Sequence, residues 1–199
     1  MYLLPSNAPW PKHAAVVLEL GDQYFVFEDT RYFGRLTLDA SAIGKLGPEP
    51  LGAEFTVECL AQSLKRSAQA IKVKLLDQAL VAGVGNIYAS EALFRAGVSP
   101  RLPARRLAQA QVVRLWQSLR EVLAEAIECG STVPLDYAGT GARDGLFYFG
   151  RAPDAPDFYE ERLRVYDRAG RPCVNCGLPI KRLVQAGRTT FYCAYCQRG

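Results

Sequence analysis

Four of the six cysteines constrain this chain more than any other feature: Cys173-x2-Cys176 and Cys193-x2-Cys196, two pairs separated by sixteen residues. Two such pairs at this distance predict a four-cysteine ribbon, in which two knuckles at hairpin turns clasp one tetrahedral zinc ion. About thirty residues bury too little apolar surface to fold alone, so the metal supplies the missing stability. All four positions are ligands and none is left for water, so the expected zinc is structural. Redox chemistry is the competing use of paired cysteines, but the doubled spacing favours metal. The pattern also points to a reducing compartment rather than to disulfides. Cys59 and Cys129 fall in helical stretches and are expected to be buried core thiols.

The ribbon is also where positive charge collects. Residues 161–199 hold eight basic and two acidic groups, whereas residues 1–62 hold four basic and eight acidic ones. Eighteen of the twenty-four basic residues are arginines, whose planar fork donates two bonds to a phosphate at once. Such polarity fits a polyanion partner on the C-terminal side, or a solvated basic face. No run approaches 18 apolar residues, so no membrane span is expected. The start, Met1-Tyr2-Leu3-Leu4-Pro5, has no basic region or cleavage signal, so no secretory leader is expected.

Hydrophobic patterning divides the rest. Ala14–Leu20 and Gln23–Glu28 read as strands around a Gly21-Asp22 turn, and Arg35–Leu38 as another. Three or four strands leave an apolar face uncovered, as if part of a sandwich were absent. After Pro48-Glu49-Pro50 the spacing turns helical, with helices expected over Glu54–Lys65, Ile71–Leu80, Ile87–Arg95 and Leu107–Glu128. Residues 138–160, rich in glycine, proline and aromatics, read as a long functional loop or as a disordered insertion. The expected class is therefore α+β: a partial β-sandwich (1–45), a helical domain with the Gly-rich loop (46–160) and a C-terminal zinc ribbon (161–199).

Three local stretches could carry chemistry. Gly83-Val84-Gly85-Asn86 between two helices is a phosphate cradle or a plain turn with Asn86 as N-cap; Lys65, Arg66, Lys72 and Lys74 lie upstream without an acid among them. In Asp29-Thr30-Arg31-Tyr32-Phe33-Gly34, Arg31 and Phe33 share a face when extended, giving either a wedge for a base stack or a strand end with a core Phe. Gly187-Arg188 falls at the bend of the ribbon hairpin, where an arginine reaches a phosphate or is simply solvated. His13 is the only histidine, which excludes a histidine-based triad or metal cluster.

In combination these stretches resemble a known family. Ile71-Lys72, Leu75-Leu76-Asp77-Gln78 and Val81 through Phe94 resemble the helix-two-turn-helix of bacterial formamidopyrimidine-DNA glycosylases. Leu46-Gly47-Pro48-Glu49-Pro50-Leu51, Asp29-x-Arg31-x-Phe33-Gly34 and Val165 through Gln197 are similar to its other signatures, so the resemblance covers nearly the whole chain. It implies base excision repair of oxidised purines in duplex DNA, with the damaged base flipped out of the stack. It implies DNA contacts by His13, Arg66, Lys72, Asn86 and Arg188, and gap filling by Arg31 and Phe33. By the same resemblance Arg188 is the proton donor in strand-cleaving elimination, and the partner is a duplex bearing an oxidised purine or abasic site. A monomer in the bacterial cytoplasm is expected. The family's nucleophile is an N-terminal proline amine beside a glutamate, with a lysine assisting; here Met1 is followed by Tyr2 and no Pro-Glu pair stands at the terminus. The expectation is thus a damaged-DNA-binding relative without the Pro/Glu/Lys catalytic groups. The alternatives are an active glycosylase and abasic-site lyase whose N-terminus is missing from this chain, and a non-enzymatic zinc-ribbon interaction module.

Overall fold

The computed structural model describes residues 2–30, 32–128 and 163–198. Arg31, Cys129, Arg162 and the Gly-rich stretch 138–160 lie outside the described residues. The described residues fall into two units, one from the first forty residues and one from residues 41–128 and 163–198.

The first unit is an antiparallel sheet of β1 (Tyr2–Pro5), β2 (Ala14–Leu20) and β3 (Gln23–Glu28), in the order β1-β3-β2. Gly21, at φ 72°, turns β2 into β3 as its sequence predicts. Val26 on the central strand is its one fully buried apolar residue among those described. The expected strand Arg35–Leu38 is not formed: no ladder reaches it, Thr37 Oγ1 accepts the Asp39 N–H instead, and Leu36 and Leu38 are exposed. β1, which was not expected, completes the sheet by pairing Leu3 with Phe25 and Leu4 with Tyr24.

The second unit is built on four helices: α1 (Val57–Lys65), α2 (Ile71–Lys74), α3 (Asn86–Arg95) and α4 (Gln109–Glu128). Thr56 caps α1 by accepting the Cys59 N–H, so the helix starts three residues later than hydrophobic spacing suggests. α2 stops at Lys74 rather than running to Leu80, because Asp77 diverts the chain: its carboxylate takes the Ala79 N–H and the Lys74 ammonium. Pro103 and a 3-10 turn at Ala104–Arg106 delay α4 to Gln109. The apolar faces meet in one core that includes Phe55, Leu60, Leu75, Leu93, Leu115 and Leu119. Ile127, in the last turn of α4, is exposed, and Cys59 is half-buried rather than buried.

Gly47 is required by this packing. A Cβ there would lie 2.7 Å from the backbone of Ala79 and Leu80, where the Gly47 N–H bonds Gln78 O. The ribbon closes the unit as a hairpin of β4 (Lys181–Gln185) and β5 (Arg188–Tyr192), with Ala186 and Gly187 at φ 47° and 73° in the turn. It packs into the helical part through Phe94, Val165, Ile180 and Phe191, which share a small core with the zinc-site cysteines.

Candidate nucleic-acid interface

The turn between α2 and α3 is braced before any ligand arrives. Gln78 accepts the Gly83 N–H at 2.8 Å through Oε1 and donates to Val84 O at 3.1 Å through Nε2. Gly83 takes φ 75°, a conformation that favours glycine. Gly85, not Asn86, is the N-cap of α3. Asn86 is the first helical residue, and its side chain is used elsewhere.

That side chain joins three elements. Asn86 Oδ1 accepts the Lys72 ammonium at 2.5 Å, and Asn86 Nδ2 donates to Thr189 O on β5 at 2.9 Å. A lysine only donates and a carbonyl only accepts, so the amide orientation is determined. Thr189 follows Arg188, whose guanidinium is exposed at the hairpin tip and acts electrostatically on Lys72. Burial first, and the Arg188 charge second, lower the Lys72 pKa to about 8. A cation that is 1% exposed beside a second cation calls for an anion. Lys72, Asn86 and Arg188 are thus brought together as a compact cationic corner.

Two buried polar residues hold the ribbon in this position. Glu91 on α3 accepts the N–H groups of Arg164, Val165 and Tyr166 at 2.8–2.9 Å. Burial pushes its carboxyl above the usual range, while the three donors pull it back. Gln197 accepts the Cys193 N–H and donates to Val98 O, linking the second knuckle to the helical part. Neither was singled out from sequence. Glu91 could have been: it falls among Ala89, Ala92 and Leu93 on the buried face of α3, where an unpaired acid is too costly to keep.

The four cysteines meet the requirements of zinc. Their sulfurs lie within 4.8 Å of one another, with Cys176–Cys193 at 3.5 Å and Cys173–Cys196 at 3.8 Å. Tetrahedral bonds of about 2.3 Å place ligand sulfurs about 3.8 Å apart. Desolvation first, then the neighbouring sulfurs, hold the Cys196 thiol well above its ordinary value. A divalent cation reverses that penalty by stabilising the thiolates. The set is complete with four sulfurs, so this zinc is structural.

The remaining candidates are placed separately. Arg66 caps the C-terminus of α1 and is exposed. In the sheet unit, Phe33 is 82% exposed, which excludes the core reading of that residue. Its backbone is held by a short bond from Gly34 N to Asp29 Oδ2. A Cβ at Gly34 would fall 2.4 Å from the Phe27 ring, so any larger residue there would require that ring to shift. His13 is half-buried, with its ring edge-on to Tyr32.

Residues 46–135 match the formamidopyrimidine-DNA glycosylase H2TH domain, and residues 170–199 match the zinc finger found in FPG and IleRS. A formamidopyrimidine-DNA glycosylase of Thermus thermophilus is 43% identical over 193 residues, covering 93% of this chain and 68% of the relative. The crystal structure of MutM (Fpg) from that organism superposes with a TM-score of 0.79, covering 95% of this chain and 70% of that one. The Lactococcus lactis Fpg in complex with abasic-site DNA is 29% identical and superposes with a TM-score of 0.79, covering 100% of this chain and 71% of that one. A G226P mutant of the same protein with DNA containing Fapy-dG is 30% identical, with a TM-score of 0.82, covering 99% of this chain and 70% of that one.

Proposed function

The chain belongs to the formamidopyrimidine-DNA glycosylase family, and from that premise we propose that these 199 residues grip lesion-bearing duplex DNA without excising the base by themselves. The observation that carries the reading is the cationic corner: Lys72, buried and bridged through Asn86 to the strand that bears Arg188. A phosphate there satisfies both cations, and the geometry is assembled before DNA arrives, so little ordering cost is added on binding.

Each site residue then has a role. Lys72, Asn86 and Arg188 hold the backbone at the lesion, with His13 and Arg66 as further backbone contacts. Phe33 and Arg31 fill the gap left by an extruded base. The zinc of Cys173, Cys176, Cys193 and Cys196 keeps the Arg188 hairpin in shape. The working parts are the sheet (1–45), the two-turn helical part (46–160) and the finger (161–199), acting as a monomer in the bacterial cytoplasm. Among the described residues no helix is long and apolar enough to cross a membrane. The partner is duplex DNA with an oxidised purine or an abasic site.

Excision through an amine needs an unprotonated nucleophile at the sugar. The α2 lysines are committed otherwise, Lys72 to Asn86 and Lys74 to Asp77. One observation favours a second reading, lyase action at abasic sites: the Lys72 pKa of about 8 leaves a fraction of neutral amine, and Arg188 stands near as a proton donor. Borohydride trapping on 8-oxoguanine and abasic duplexes separates the two. The proposal expects shifted but uncrosslinked DNA; an adduct lost in Lys72→Ala establishes the second reading instead.

A further inference from the structure

The charge not used by the cationic corner is concentrated beside it. No acid occurs between Glu58 and Asp77, nor between Glu91 and Glu121. The fold lays parts of these two acid-free stretches side by side. Ile71 N bonds Leu102 O, Ala104 N bonds Gln69 O, Arg105 N bonds Ser67 O, and Ala70 pairs antiparallel with Pro103. Lys65, Arg66, Arg101, Arg105 and Arg106 are all exposed on this paired ribbon or at its end. The ion pairs found among the described residues, Lys74–Asp77 and Arg95–Glu125, involve none of the five. Lys65 and Arg66 also line an open, polar recess with Gln62 and Ser63.

Five exposed cations without a counter-charge among the described residues repel one another and disfavour the compact state, an arrangement suited to a polyanion. Arginine predominates, which suits phosphate. The ribbon starts at the Lys72 backbone, whose N–H bonds Pro100 O, and Gln185 on the Arg188 hairpin donates to the same carbonyl. It is therefore continuous with the cationic corner. From Lys72 to Ser67 the chain reaches at most about 16 Å, at roughly 3.3 Å per residue. Laid along the helix axis, that length spans about five base-pair steps at about 3.4 Å of rise each.

We propose that the paired segments 65–72 and 100–106 form a second phosphate-binding strip, which holds the DNA backbone flanking the lesion. The proposal rests on the DNA-gripping reading above and extends it from the damaged nucleotide to the neighbouring duplex. The strip reads no sequence; it adds affinity and salt dependence.

The test uses the full chain and a 25-base-pair duplex with a central tetrahydrofuran abasic analogue. Binding is followed from 50 to 200 mM salt, together with phosphate ethylation interference. Both arginines are exposed, so R105Q/R106Q is expected to keep the wild-type circular dichroism and one zinc per chain. It should lower the log–log salt slope by about two and lose interference about four to six nucleotides from the analogue, keeping interference at the analogue. Arg188→Ala should do the reverse, with a slope change of about one and the loss centred on the analogue. Unchanged slope and interference in R105Q/R106Q would reduce the strip to a solvated face. Loss at the analogue itself would assign the arginines to the lesion site and overturn the flanking role. If the wild-type chain fails to bind at all, the DNA-gripping reading falls and the strip with it, a result distinct from failure of the double variant alone.

Discussion

Lys72 is 1% exposed and Phe33 is 82% exposed, yet both are proposed to contact the same duplex. The helical and ribbon unit positions its groups with a shared core, a four-cysteine site, a half-buried bridge through Asn86 and buried ones through Glu91 and Gln197. The sheet unit positions Phe33 with backbone geometry: a left-handed Tyr32 at φ 55° and the Asp29–Gly34 bond. Of the apolar side chains described in that unit, only Val26 is fully buried. Gripping a phosphate needs a fixed charge, since a displaced cation loses most of its hydrogen-bond energy. Filling a gap in a base stack needs an exposed ring that can move into it. Under the proposed roles, the two units meet these different demands.

The largest effect expected from this contrast concerns zinc. Structural zinc contributes on the order of 10 kcal/mol or more to folding of small four-ligand sites. Removing it with a strong chelator should release the Arg188 hairpin and abolish duplex binding measured by fluorescence anisotropy, with recovery on zinc addition. Unchanged affinity in metal-free protein would mean that the ribbon does not position the grip.

Next in size is the core. Leu119 is fully buried in the helical unit, so Leu119→Ala should cost about 2–5 kcal/mol in urea unfolding. A cost below about 1 kcal/mol would mean that the core is looser than its burial implies.

A smaller effect comes from pH. A Lys72 pKa of about 8 means that its charge is disfavoured in the free fold relative to the unfolded chain at 10.5. The associated stability penalty is fully present below about 8 and is relieved as pH rises toward 10.5. DNA binding has the opposite sign, because a phosphate restores the charged form. Affinity should fall about tenfold from pH 7 to 9, with proton uptake near pH 8 in calorimetry across buffers. Lys72→Arg should flatten this dependence; a profile unchanged by that substitution would place the titrating group elsewhere.

The smallest effect sharpens the contrast from the other side. Leu18 is 45% exposed on β2, so Leu18→Ala should change stability by less than about 0.5 kcal/mol. A larger cost would show that the sheet carries packing that its exposure does not reveal.

The zinc ligands were legible because metal chemistry fixes residue type and spacing within a few positions. Strands β2 and β3 were legible from β-rich composition and the Gly21-Asp22 turn, and α1, α3 and α4 from apolar spacing. Errors fell where a side chain competed with the backbone: Asp77 shortening α2, Thr56 resetting α1, and Thr37 turning the segment read as a strand. Lys72, Asn86 and Arg188 were identified through resemblance, but their connection was not. Asn86 read locally as an N-cap, and its bond to Thr189 spans 103 positions that no local pattern encodes. Glu91 could have been suspected from its place on the buried face of α3, but its partners could not, since Arg164–Tyr166 are remote in sequence.

The account depends on a preassembled cationic grip, and one titration tests it most directly. A labelled 25-base-pair duplex with a central abasic analogue, and the same duplex undamaged, are titrated with the zinc-loaded chain between 50 and 200 mM salt. Tighter binding to the analogue, with affinity falling steeply as salt rises, is the predicted result. No binding to either duplex at 50 mM salt would contradict it.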